Sequence, residues 1–325
     1  MHKNPIFILI AILTSSSCAS GQVQFLEKED RIDVMYQEKV ITSYQIGKDM
    51  LKPSLFPIKA TDGEIVTRQF PFEEIEGEST DHPHHTGLFF TYGSKNEVNG
   101  NSFWNLHDIP PGIQHIKVLE KKEKAENGSI STISHWIDKN GKAILEESRT
   151  MTFNFQRKNS YSIDFEVFLK ALETDVIFQD TKEGMFAVRV ADWMSEESKG
   201  MIIGTGKYTN AQGLTNEENI WGRQSEWVKL EGTKGEKVYG LAIFYHPESV
   251  NFPTYWHARG YGCFAANPIG QFGFQKEYLE APKKRNLEIQ KGKSAAFGFR
   301  VLIYEDSKEH KELQAEYESF KLSDL

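Results

Sequence analysis

Tyr161-Ser162-Ile163-Asp164-Phe165-Glu166-Val167 decides the fold. Apolar and polar side chains alternate along it. Successive side chains of a strand point to opposite faces, so this run buries one face and wets the other. Strands of that kind belong to antiparallel sheets. Comparable runs lie at Ile130 to Ile137, Leu145 to Phe155, Gly184 to Val190, Val238 to Tyr245 and Ala295 to Tyr304. Asn140-Gly141 and Asn127-Gly128 stand between runs as hairpin signals. Helical periodicity is confined to Ser307 to Phe320, where Leu313, Ala315, Tyr317 and Phe320 are spaced among charges. The expected architecture is all-β: one large antiparallel β-sandwich over residues 21–325. A single C-terminal helix should cover a sheet edge or face.

Composition narrows the function. The 325 residues include 22 Phe, 12 Tyr and 6 Trp, enough aromatic area to hold a large core. The formal net charge is −8, and no Lys/Arg run or stripe stands out, which argues against a nucleic-acid partner. The N-terminus carries His2 and Lys3, then the apolar run Ile6 to Leu13, then Cys18-Ala19-Ser20-Gly21. A basic start, a short apolar core and small residues form an export signal over residues 1–20. The run is too short to span a bilayer. Cys18 also resembles a lipoprotein lipobox, with Ser15 where a Leu is usual. Lipidation at Cys18 and plain cleavage stay open, so membrane contact is expected only through such an anchor. Cys263 is the only other cysteine, which leaves no intrachain disulfide and no Cys-based zinc site.

The chemistry concentrates in Asp81-His82-Pro83-His84-His85-Thr86-Gly87, where three of the ten histidines fall within four positions. Imidazole titrates near neutrality and suits proton transfer. Pro83 argues against a helix interior, so the cluster reads as a loop entering the buried strand that begins at Leu88. His84 and His85 are the leading catalytic candidates. His257 and Glu183 are two more. Aromatic rings cover the apolar face of a sugar while His, Arg and Asn take its hydroxyls. On that basis His82, Trp104, Arg189, Trp221, Arg223, Trp256 and Arg259 are candidate substrate-binding residues. Trp104, Trp221, Arg223, Trp256 and Arg259 sit in loops dense in both residue types, the last two in the aromatic segment Tyr245 to Gly262, and Arg189 lies in a strand. His82 and His84, two apart, could share a metal with Asp81 or His257. No HExxH or Cys pair supports this, and no motif names a cofactor, so a divalent metal is the weaker reading.

Taken together, Asp81-His82-Pro83-His84-His85-Thr86-Gly87-Leu88, Asn101-Ser102-Phe103-Trp104, Trp221-Gly222-Arg223, Trp227, His246-Pro247, Asn251-Phe252-Pro253 and Trp256-His257-Ala258-Arg259 resemble the PmoA-like family, the domain of unknown function 6807. The match runs from about His82 to the C-terminal strand. Thr86 departs from it, standing where many relatives would carry Arg. The resemblance implies a β-supersandwich similar to galactose-mutarotase-like proteins. It also implies a bacterial envelope protein, in the periplasm or on the cell envelope, linked to carbohydrate breakdown. The resemblance carries no catalytic residue of true mutarotases over to this chain. The sequence therefore supports an exported carbohydrate-active enzyme using His acid/base chemistry in hydrolysis, elimination or epimerisation of a sugar or glycoside. A carbohydrate-binding protein without chemistry is the alternative, and a His-ligated metal oxidoreductase a weaker third.

Overall fold

The computed structural model describes residues 22–105 and 108–323. The expected export signal and Cys18 lie outside the described residues. Two large antiparallel sheets face each other. The first has nine strands, in order Gln24–Glu27, Arg31–Tyr36, Lys39–Gln45, Ser54–Leu55, Leu88–Tyr92, Gly184–Arg189, Cys263–Asn267, Thr254–Ala258 and Gln224–Ser225. The second has eight, in order Lys207–Asn210, Trp227–Lys234, Lys237–Tyr245, Ser294–Glu305, Ser160–Ala171, Ala143–Arg157, Asn127–Ile137 and Gly112–Lys122. Val176–Phe178 and Leu287–Ile289 form a small separate ladder.

Alternation sets what lies between the sheets. Tyr161, Ile163, Phe165 and Val167 point inward from the second sheet, while Ser162, Asp164 and Glu166 do not join that core. From the first sheet come Leu88, Phe90, Phe186, Val188, Trp256 and Phe264. The layers meet ring on ring: Phe186 stacks on Phe299 at 4.2 Å, and Phe90 lies 5.6 Å from Phe297. Each such side chain contributes about 1.5–3 kcal/mol by leaving water.

The C-terminal helix runs His310–Phe320, three residues shorter than expected. Glu231 accounts for the difference: it accepts from Ser307 Oγ and the Lys308 amide, which leaves Glu309 as the cap. Glu309 and Glu312 then form a reciprocal capping box. Leu313, Tyr317 and Phe320 pack with Trp227, Phe244 and Leu302 on the outer face of the second sheet. Ala315 is exposed, contrary to expectation, and Glu316 turns inward to pair with Arg300 at 2.8 Å and with Arg157. Two one-turn helices, Glu217–Ile220 and Gln271–Gln275, accompany it.

Asn127-Gly128 is not a turn but the start of a strand, and the chain reverses just before it. Gly128 lies where the Val23 segment crosses: a Cβ there would sit 2.6 Å from Val23. Gly240 is a second close approach. It faces Tyr304 across the ladder, and an added Cβ would lie 2.0 Å from that ring. Gly240→Ala should destabilise the protein by about 1–3 kcal/mol through overpacking, read from urea unfolding. An unchanged midpoint would show that the Tyr304 ring moves aside freely.

Candidate active site

The period of two that fills the core also builds a floor on the opposite side of the first sheet. Between the inward residues of the central strands lie Phe89, Ala187, Cys263 and Ala265, which cluster with Trp104. Ala187 and Ala265 pair across neighbouring strands, and their small side chains leave room above them. The loop Asp81–Gly87 folds over this floor. Gly87 makes the approach possible: its φ is +64°, and a Cβ would lie 2.3 Å from the Leu55 carbonyl.

Asp81 fixes the loop. Its Oδ1 accepts from Arg68 Nη1 at 2.9 Å and from Arg189 Nη2 at 2.8 Å, and both guanidinium groups are fully buried. Its Oδ2 pairs with His82 Nδ1. Arg68 also donates to the Asp81 carbonyl at 2.6 Å and the His82 carbonyl at 2.9 Å, so one cation grips side chain and backbone together. His82 is held at φ 45°, a backbone region that costs a non-glycine residue strain. Buried Lys52 donates to the His84 carbonyl at 2.8 Å. Burial lowers the Lys52 ammonium to about 7.

The result is a cavity of about 320 Å³. The loop contributes His82, His84 and His85 to its wall, and the Asn101–Asn105 segment contributes Trp104. Lys182 and Glu183 enter from the turn before Gly184–Arg189, and His257 from Thr254–Ala258. Arg259, Tyr261 and Lys199 close the rim. The rings of His85, His82 and Tyr261 lie parallel, with centroids 4.9 and 5.3 Å apart. Trp104 stands edge-on to His85 at 5.6 Å.

The electrostatics are distinctive. Burial, with Lys52 and His82 adding to it, lowers His84 to about 3. Burial, with Arg259 and Lys182, lowers His257 to about 3. His85 is pushed well down by burial and by His84 and Arg189. Glu183 moves the other way: burial raises its carboxyl, and Lys182 and His82 offset this only in part. The site thus holds neutral imidazoles beside a carboxyl biased toward its protonated form. His85 Nδ1 and His257 Nδ1 have no hydrogen-bond partner among the described residues. Among those residues, no group of three or more His, Cys, Asp or Glu side chains is arranged to hold a metal. His82 and His84 thus lack a third donor.

Several expected substrate contacts fall elsewhere. Trp256 and His257 are neighbours on a strand, not a loop, so they face opposite ways. Trp256 is fully buried between the sheets, donates to the Ser225 carbonyl, and has no face for a ligand. Arg189 is fully buried beneath Tyr261, 4.7 Å from its ring, and acts as a support. Arg223 is exposed and covers Tyr278 at 4.2 Å, away from the cavity. Trp221 lines an adjoining cleft, with Arg259 as the shared wall. Sequence reasoning missed Lys182, Lys199, Tyr261 and Lys52. Tyr261 lay in an aromatic segment already singled out. The isolated lysines carried no signal.

An antiparallel β-sandwich with a histidine-lined cavity on the outer face of one sheet is the class that fold and site define. The chain belongs to the Family of unknown function (DUF6807), whose model matches residues 31–318 and so includes strands before His82. No curated protein matches the sequence. A Klebsiella pneumoniae protein provisionally assigned as an aldose 1-epimerase overlaps it at TM-score 0.45 and 10% identity, over 92% of this chain and 87% of that one. A Caenorhabditis elegans aldose epimerase homologue overlaps at TM-score 0.34 and 9% identity, over 89% and 98%. A polysaccharide lyase overlaps at TM-score 0.31 and 9% identity, over 85% of this chain and 34% of its own.

Two outcomes follow from the site's charges. Asp81→Asn would leave Arg68 and Arg189 buried without their carboxylate, and should cost about 3 kcal/mol in chemical unfolding. A loss below about 1 kcal/mol would mean the two arginines do not depend on Asp81. The lowered imidazoles make the unfolded chain bind more protons than the native one. Their stabilisation is complete above the ordinary histidine pKa near 6.5 and falls as pH drops toward about 3. His257→Gln should flatten the acid limb of a stability-versus-pH curve by about 1.4 kcal/mol per unit between roughly pH 6 and 4. An unchanged slope would show that His257 titrates normally.

Proposed function

We propose that this chain is an exported enzyme that moves protons on a sugar or glycoside. One observation carries the reading: Glu183 is biased toward its protonated form in the same cavity where His84, His85 and His257 are held neutral. Titratable groups pushed in opposite directions around one space suit an acid and a base. A neutral imidazole, from His84 or His257, accepts a proton from carbon. Glu183 delivers one to the departing or re-protonated atom. Tyr261, partly exposed at the rim, supplies apolar surface for the sugar's C–H face, while Trp104 is buried behind His85.

The carboxyl count favours elimination or epimerisation over hydrolysis. Most glycoside hydrolases set two carboxyls across the scissile bond. Glu183 is the only carboxyl on this cavity wall among the described residues. The volume lies at the small end of ligand sites, matching one sugar residue. The basic and apolar run at the N-terminus supports export.

The purified protein should exchange a carbon-bound hydrogen of its sugar with deuterated water, followed by NMR across neutral and acidic sugars. Glu183→Gln should lower turnover about a hundredfold or more with little change in KM. His84→Ala combined with His257→Gln should do the same. A protein that binds sugars but shows neither exchange nor turnover is a binding module, and the proposal fails. Turnover that survives both variants removes these residues from it.

A further inference from the structure

We infer that the cavity takes a sugar bearing a single carboxylate, a uronic acid residue, joined to a neutral neighbour. The inference rests on the proton-transfer reading and names its substrate class. The chain carries a formal net charge of −8, yet three cations, Lys182, Lys199 and Arg259, line this cavity against one carboxyl, Glu183. A local sign opposed to the global one in a concave, low-dielectric space focuses field on a ligand of the opposite charge. Among the described residues no carboxylate lies within ion-pair distance of Lys182, whose ammonium sits 5.8 Å from the Trp221 ring. Lys199 is only 3.6 Å from Asp81, but that carboxylate is already held by Arg68 and Arg189. Positive charge is therefore left over at the rim.

The adjoining cleft has the other sign. It encloses about 670 Å³ and is walled by Glu196, Glu197, Glu217 and Glu218 together with Trp221 and Arg259. Arg259 marks the border, its Nε 3.1 Å from Glu217 and its guanidinium 5.8 Å from the rings of both Trp221 and Tyr261. A second carboxylate next along the substrate would meet four acids. The cleft thus suits an uncharged neighbour with a face to lay on Trp221, and it disfavours a polyuronate.

A carboxylate fits the chemistry better than a sulfate or phosphate ester. The C5 hydrogen of a uronate is α to its carboxylate and can be removed. An imidazole takes that proton, and the electron pair passes into the carboxylate, whose growing charge Lys182 and Arg259 stabilise. The pair then returns to form a C4–C5 double bond, and the C4–O bond breaks. The departing oxygen takes a proton from Glu183. Atoms and electrons balance with no oxidant or reductant. A sulfate or phosphate ester would not acidify a ring hydrogen in this way.

The test is calorimetric titration of the full chain with methyl glucuronide, methyl glucoside, glucose 6-sulfate and a galacturonate trimer. Methyl glucuronide should bind at least tenfold tighter than methyl glucoside, with affinity falling as salt rises. Lys182→Gln with Lys199→Gln should narrow that gap roughly tenfold. The trimer should bind more weakly than the single uronide. Equal or tighter binding of the neutral glucoside, or a salt-independent preference, overturns the inference. A preference for the sulfate overturns the carboxylate assignment, and a preference for the trimer overturns the neutral neighbour. Glu183-dependent proton exchange on neutral sugars alone would sink this inference while leaving the proton-transfer reading intact.

Discussion

Two buried guanidinium groups, from Arg68 and Arg189, meet on the carboxylate of Asp81. Each would be costly to bury alone, and their proximity adds repulsion. Asp81 offsets part of both penalties, and against burial, which would raise it, the Oδ2-bound His82 and the two cations drive its carboxyl far below the usual range. The arrangement is more than a neutralised cluster. Because Arg68 also holds the Asp81 and His82 carbonyls, the charge cluster sets the path of the loop backbone. The loop in turn carries His82, His84 and His85 to the cavity. The strain at His82 persists because so many contacts determine it. Loss of the carboxylate would release histidine geometry and stability together.

Most of the fold was legible in the sequence because strand alternation is a one-dimensional signal. Tyr161 to Val167 reports its own burial pattern without knowledge of any partner. The rule was not applied at Trp256-His257, because both residues were assigned to one loop. Read as a strand, the pair must split, Trp256 into the core and His257 into the cavity. A loop assignment hides that division, since loops carry no period. The histidine cluster and Glu183 were visible because their residue types are rare or flank a clear strand. Lys182 and Lys199 were not, because a lone lysine is by default a solvated side chain. Only the three-dimensional convergence of distant segments gives them meaning. Arg189 erred in the opposite direction: its chemistry suggested a ligand, and its neighbours made it a pillar under Tyr261.

One sheet therefore does two jobs through its two faces. Its inward positions are large and apolar and meet the second sheet ring against ring. Its outward positions near the site, Ala187, Cys263 and Ala265, are small, and a cavity rests on them. A site placed on strands and backed by a packed core is held more rigidly than one on loops alone. His257 benefits directly: it pairs with Ala265 on Cys263–Asn267, and its strand is tied on the other edge, at Thr254 and Tyr255, to Gln224–Ser225.

The imidazoles raise a question that the charge distribution answers. A base lowered to about 3 is always unprotonated at neutral pH but accepts a proton poorly. Burial is the largest cause of the lowering, and it remains when substrate binds. The second cause is the surrounding positive charge: Lys52 at His84, and Arg259 and Lys182 at His257. A bound anion cancels that part. One negative charge about 6 Å away, in an effective dielectric of about 20, contributes about 2.8 kcal/mol, or about two pK units. That shifts the imidazole upward, toward the range where proton acceptance is efficient. A neutral sugar would leave it where it was. On the proposed function, the cations that attract a carboxylate add to the burial that holds the imidazole down until the carboxylate arrives, which ties recognition of charge to the onset of proton transfer.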